Sequence, residues 1–120
     1  MAKNPDQRLI QDILTTRPIA FNADLARILG SAKAGIFLSQ LLYWNGKGRN
    51  PDWIYKTVEE FEKETSLSKE EQLTAQKICV NKGVVEVKLM GLPAKRHFKI
   101  YMGKIIKLLD EFRQNSTSRP

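Results

Sequence analysis

Apolar residues along the chain recur with two different periods, and each change of period marks an element. In AKAGIFLSQLLYW, positions 32–44, Ile36, Phe37, Leu38, Leu41, Leu42, Tyr43 and Trp44 cover most of a helical wheel, as in a central buried helix. Ser31 stands at its N-cap, and a shorter helix over ADLARIL precedes it, capped by Asn22 and stopped by Gly30. The stretch NGKGRNPD cannot continue a helix, with two glycines, a proline and an Asn-Gly pair. WIYKT, short, aromatic and β-branched, then predicts a strand. Thr57 opens a third helix through the box Thr57-Val58-Glu59-Glu60, with Val58 and Phe61 inward and an end near Thr65. After a turn of about three residues, Ser68 opens a fourth helix that reaches Lys82, and Gly83 is placed for a left-handed C-terminal cap.

Beyond Gly83 the period drops to two. Val85, Val87 and Leu89 alternate with Glu86, Lys88 and Met90, and after GLPAK the residues Phe98, Ile100 and Met102 alternate likewise. These two runs make a hairpin. Ile105, Leu108, Leu109 and Phe112 then fall at i, i+3, i+4 and i+7, the apolar stripe of a closing helix. The reading is mainly α with a small β-hairpin, an α+β chain in winged helix-turn-helix order. One domain spans 1–112: an extended N-terminal segment over 1–21, the helix-turn-helix at about 57–82, the wing over 84–102 and the closing helix over 103–112. Residues 113–120, RQNSTSRP from position 113, read as a disordered tail or the start of a linker.

Composition narrows the chemistry. A chain of 120 residues with 42% hydrophobic content can bury a core without disulfides or metals. One cysteine, Cys79, and one histidine, His97, are too few for a structural zinc site and supply no supported nucleophile, so neither enzyme, metal nor cofactor is expected. No apolar run approaches membrane-spanning length, and a reduced, cytoplasmic protein is expected. The net charge of +7 favours a polyanionic partner. Its distribution says more: over 85–107, Lys88, Lys95, Arg96, Lys99, Lys104 and Lys107 face Glu86 alone, whereas 59–71 holds six glutamates against Lys63 and Lys69.

A helix followed by a basic hairpin points to DNA, yet the helix begins with Glu70 and Glu71. Glu71 lies three residues after Ser68 and completes a capping box, with Leu67 as the hydrophobic staple. With Gln72, Ala75 and Cys79 inward, the outward line is Glu70, Thr74, Lys77 and Asn81. On a functional reading, Thr74, Lys77 and Asn81 approach base edges and phosphates while Glu70 accepts from a cytosine amino group. On a structural one, the line is a solvated face and Glu70 repels phosphate. Lys88, Lys95 and Arg96 at the hairpin suit phosphate contact or the minor groove, or else protect an edge strand. The candidate DNA-binding set is therefore Ser68, Lys69, Glu70, Thr74, Lys77, Asn81, Lys88, Lys95 and Arg96. His97 is expected on the outer face of its strand and Cys79 in the core. Tyr43, Trp44, Trp53 and Tyr55 could stack on bases, but their attachment to the buried helix favours core packing. Lys47 and Arg49 flank Gly48 in a loop and either touch phosphate or solubilise the chain.

Taken together, GSAKAGIFLSQLLYW, WIYKTVEEFEKETSLSKEEQLTAQKICVNKGVVEVK and GLPAKRHFKI resemble the winged-helix domain of phage- and plasmid-encoded replication proteins, over roughly 17–109. That resemblance implies binding of double-stranded DNA at an origin, often as a homodimer, with a recognition helix over 68–82 and a wing over 89–96. It also implies a helicase or loader recruited through a further domain that this chain does not hold. The acidic helix start departs from such proteins, whose recognition helices commonly begin with basic or neutral polar residues. A transcriptional regulator would use the same helix and wing, and a winged helix that binds protein would use the acidic face over 59–71.

Overall fold

The computed structural model describes residues 4–15 and 19–117. Their order is α1 (Pro5–Thr15), α2 (Ala23–Leu29), α3 (Ala32–Trp44), β1 (Ile54–Tyr55), α4 (Val58–Thr65), α5 (Lys69–Asn81), β2 (Val85–Met90), β3 (Lys95–Ile100) and α6 (Met102–Thr117). The three strands form one antiparallel sheet in the order β1-β3-β2. This mainly helical α+β arrangement, with its β2–β3 hairpin, is compatible with a winged helix.

The helices start where the caps put them. Asn22 Oδ1 accepts from the amides of Asp24 and Leu25, and Ser31 Oγ from that of Ala34. Thr57 with Glu60 and Ser68 with Glu71 both close as reciprocal capping boxes. Gly30 and Gly83 end α2 and α5 at φ of 71° and 78°, a region that costs a side chain about 1–2 kcal/mol.

Three rings mark the centre. Phe37 of α3 stacks on Phe61 of α4 at 4.7 Å and meets Phe98 of β3 edge-on at 5.6 Å, and all three are fully buried. Leu38, Leu41, Ala75, Cys79, Val84 and Ile105 complete the core, so α3 is the element on which α2, α4, α5 and β3 all pack. Gly35 lets α2 come close: a Cβ there would stand 2.6 Å from Ala26 Cβ and 2.8 Å from its Cα.

Four expectations need correction. The N-terminal segment is not extended throughout, because Asn4 and Gln7 form their own capping box around Pro5 and start α1. Met102 begins α6 rather than ending a strand; pairing stops at Val85 with Ile100, and the Tyr101 amide turns to the Val84 carbonyl. Helix α6 also runs through 113–117, where a tail was expected, with Gln114 Nε2 donating to Asp110 Oδ2 a turn earlier; residues 118–120 lie outside the described residues. Along β2 the alternation fades toward the tip, Val85 being buried and Leu89 68% exposed. No helix among the described residues is long and apolar enough to cross a membrane.

Candidate nucleic-acid interface

The turn between α4 and α5 is built from polar groups that satisfy one another. Ser66 ends α4 in the left-handed region at φ 67°, and its amide donates to the Glu62 carbonyl. Thr65 Oγ1 donates to the Phe61 carbonyl and accepts from the Leu67 amide, while the Leu67 side chain is buried. Gln72, with no exposed surface, donates from Nε2 to the carbonyls of Val58 and Leu67, at 3.0 Å each. One side chain of α5 therefore holds the start of α4 and the turn in register. Losing a buried donor of this kind costs about 1–3 kcal/mol.

Against this inner face, α5 presents Lys69, Glu70, Thr74, Lys77 and Asn81 to solvent. The helical spacing expected of the outward line holds, and Leu73 and Val80, 47% and 42% exposed, join it. Those two were not anticipated; apolar contact with thymine methyl groups is one use for such residues in a groove. Ser68 sits half-buried at the head of the line as the N-cap, its hydroxyl occupied by the Glu71 amide at 3.2 Å. Glu71 is tied down: Lys33 Nζ of α3 lies 2.6 Å from Oε2, and the Ser68 amide donates to Oε1 at 2.9 Å. The lysine first, then the Ser68 backbone and side chain, lower its pKa from 4.5 to about 2. Glu70 makes no ion pair or side-chain hydrogen bond among the described residues.

The acidic run from 59 to 71 is partly neutralised. Glu64 accepts from Gln40 Nε2 and Trp44 Nε1 at 2.8 Å each and from Lys56 Nζ at 2.5 Å. Burial works to raise its pKa, but the three donors and the lysine charge outweigh that and lower it. Lys56 is itself buried, 3.7 Å from Glu60 and 3.7 Å above the Trp44 ring.

The hairpin divides the expected basic set. Arg96 shares its strand face with buried Phe98 and points toward α5, donating from Nη2 to Gln72 Oε1 at 2.9 Å and from Nη1 to Gln76 Oε1 at 3.1 Å. Its guanidinium lies 4.7 Å from the Phe98 ring centroid. Burial lowers its pKa, with the Glu59 charge acting in the other direction. Arg96 is thus a strut between sheet and helix, not the free hairpin cation expected. The reason is the period of two, which puts 96 and 98 on one face. Lys88 and Lys95 stand exposed on the opposite face, Lys88 directly across from His97. The structure brings Lys69, Glu70, Thr74, Lys77 and Asn81 together on α5, but leaves Lys88 and Lys95 on the side of the sheet turned away from that helix.

Of the four aromatic residues expected in the core, Trp44 packs against it, whereas Tyr43 and Tyr55 do not. Tyr43 is 49% and Tyr55 40% exposed, while Trp44 and Trp53 are half-buried. Ile54, between Trp53 and Tyr55, takes the inward position on β1 and leaves those two on the outer face. His97 lies on that face, as expected, stacked on Tyr55 at 5.1 Å. Cys79 is fully buried, which pushes its thiol up to about 12. Comparison with known protein families, with characterised proteins and with solved structures yields no match.

Proposed function

We propose that this chain is a winged-helix, double-stranded-DNA-binding module of a mobile-element replication protein. In this reading α5 is the recognition helix and enters the major groove, and the β2–β3 hairpin is the wing. The observation that carries the reading is the exposed line of Lys69, Thr74, Lys77 and Asn81 on a helix whose inner face is fixed by Gln72 and whose start is fixed by the Ser68–Glu71 capping box. A helix held on one side while offering cations, a hydroxyl and an amide on the other suits contact with phosphates and base edges. Neutralisation of Glu71 by Lys33, and of Glu64 by Lys56, removes part of the acidic field that would oppose DNA. Glu70 remains as an acceptor suited to a cytosine amino group. Assignment to replication rests on the resemblance of the helix and hairpin segments set out above.

The test is fluorescence anisotropy of a labelled random-sequence duplex titrated with the protein over a range of salt. Binding is expected to fall steeply as salt rises, and Lys77→Ala is expected to lower the slope of log K against log salt by about 0.9. Absence of binding at low salt would overturn the reading.

A further inference from the structure

A groove of about 410 Å³ opens beside β1, lined by Trp44, Lys47, Arg49, Trp53, Tyr55 and His97 among others. That volume is within the roughly 300–1,000 Å³ of small-ligand sites. No carboxylate lines it among the described residues. The neighbouring groove, of about 500 Å³, is lined by Glu60 and Glu64 beside Lys63 and lacks this excess of cations.

The groove continues onto the outer face of the sheet. Strand register sets Tyr55, His97 and Lys88 in one row across all three strands. Cations stand over or beside the rings: Lys47 Nζ is 3.3 Å from the Tyr43 centroid, Lys95 Nζ 5.2 Å from Tyr55, and Lys99 Nζ 5.9 Å from both Trp53 and Tyr101. Lys56 is occupied by Glu64, but Lys47, Arg49, Lys88, Lys95 and Lys99 form no ion pair among the described residues. The carboxylate on this face, Glu86 opposite Lys99, accepts from the Tyr101 hydroxyl. Exposed rings interleaved with unpaired cations call for a ligand that is planar and anionic in alternation. A duplex keeps its base faces in its own stack and offers this surface phosphate alone; an unpaired strand offers both.

We infer that the outer face of the sheet and its adjoining groove form a binding site for single-stranded nucleic acid. Bases stack on Tyr55 and Trp53, and phosphates lie along Lys47, Arg49 and Lys95. This surface is turned away from α5, so the inference does not depend on duplex binding by that helix.

Both tryptophans of the chain, Trp44 and Trp53, line the groove, so intrinsic fluorescence reports its occupancy. The probes are oligo-dT and oligo-rU of about 12 nucleotides, within the 4–16 span of known single-strand sites, and an abasic strand with the same number of phosphates. Quenching by the base-bearing strands is expected, with the abasic strand binding at least tenfold more weakly; the tighter of dT and rU identifies the source. Tyr55→Ala is expected to weaken binding roughly 5- to 150-fold, the loss of one stacked base. Because Tyr55 is exposed the variant should melt like the parent, and Lys47→Ala/Arg49→Ala, in a loop, gives a second reading. That pair should lower the salt slope by about 1.4, at 0.7 per phosphate for single strands. Lys77→Ala, which tests duplex binding, should leave single-strand affinity unchanged. The inference is overturned if neither base-bearing strand binds, if the abasic strand binds equally, if Tyr55→Ala changes nothing in a folded protein, or if Lys77→Ala weakens duplex and single strand alike.

Discussion

Replacing Arg96 by alanine separates two roles that a basic residue near a hairpin tip can have. If Arg96 is the strut described here, its loss acts on stability. Gln72 Oε1, in a side chain with no exposed surface, loses its donor, which costs about 1–3 kcal/mol. The guanidinium also leaves the Phe98 ring, 4.7 Å away, a contact worth about 0.5–2 kcal/mol. Two effects offset this: the buried Nε, which has no hydrogen-bond partner, is removed, and the cost of desolvating the guanidinium on folding goes with it. Gln76 is only half-buried and can turn to solvent. The net loss is about 1–3 kcal/mol, equivalent to a fall in Tm of about 4–12 °C for a domain of this size. Thermal unfolding followed by circular dichroism measures the stability, and duplex binding well below the Tm measures the other role. The salt slope of Arg96→Ala should match the parent's, whereas Lys77→Ala, exposed on α5, should lower it by about 0.9 at unchanged Tm. An Arg96→Ala protein that melts with the parent but has lost one phosphate's worth of salt dependence would refute the strut.

Other predictions follow from the packing and the caps. Gly35→Ala gains about 1 kcal/mol of helix propensity but drives a methyl into Ala26; overpacking of about 1–3 kcal/mol should dominate and lower the urea midpoint. Ser68→Ala removes the α5 cap and should destabilise the fold by about 1 kcal/mol, measured by the same denaturation. Glu71 has a folded pKa of about 2 against 4.5 unfolded, so its contribution is present above 4.5 and is lost as pH falls toward 2. Glu71→Gln should therefore flatten the dependence of stability on pH in that window; an unchanged slope would contradict the Lys33–Glu71 pairing.

Local signals in the sequence were good guides to local structure. Asn22, Ser31, Thr57 with Glu60, Ser68 with Glu71, and Gly83 each act as read, because a cap involves residues only three or four apart. The same signal stands at Asn4 and Gln7 and marks the start of α1, where an extended segment was expected. Arg96 is placed by register and not by charge, since alternation from Phe98 turns it inward. Trp53 and Tyr55 are likewise placed by their alternation with Ile54, which turns them outward despite their aromatic character. What no local pattern carries is the tertiary pairing: Gln72 reaching the α4 start and Arg96, Lys33 reaching Glu71, and Lys56 buried against Glu64. These pairings lie beyond the reach of a capping signal, and they determine which charges remain unpaired.

The most direct test of the central proposal is to add a random-sequence duplex to isotope-labelled protein at low salt and map amide chemical-shift changes by NMR. The account predicts that the largest changes fall on Lys69, Thr74, Lys77 and Asn81 of α5 and that they recede as salt is raised. Shifts that leave α5 untouched, or that gather on Glu59, Glu60 and Glu62 of α4, would contradict it.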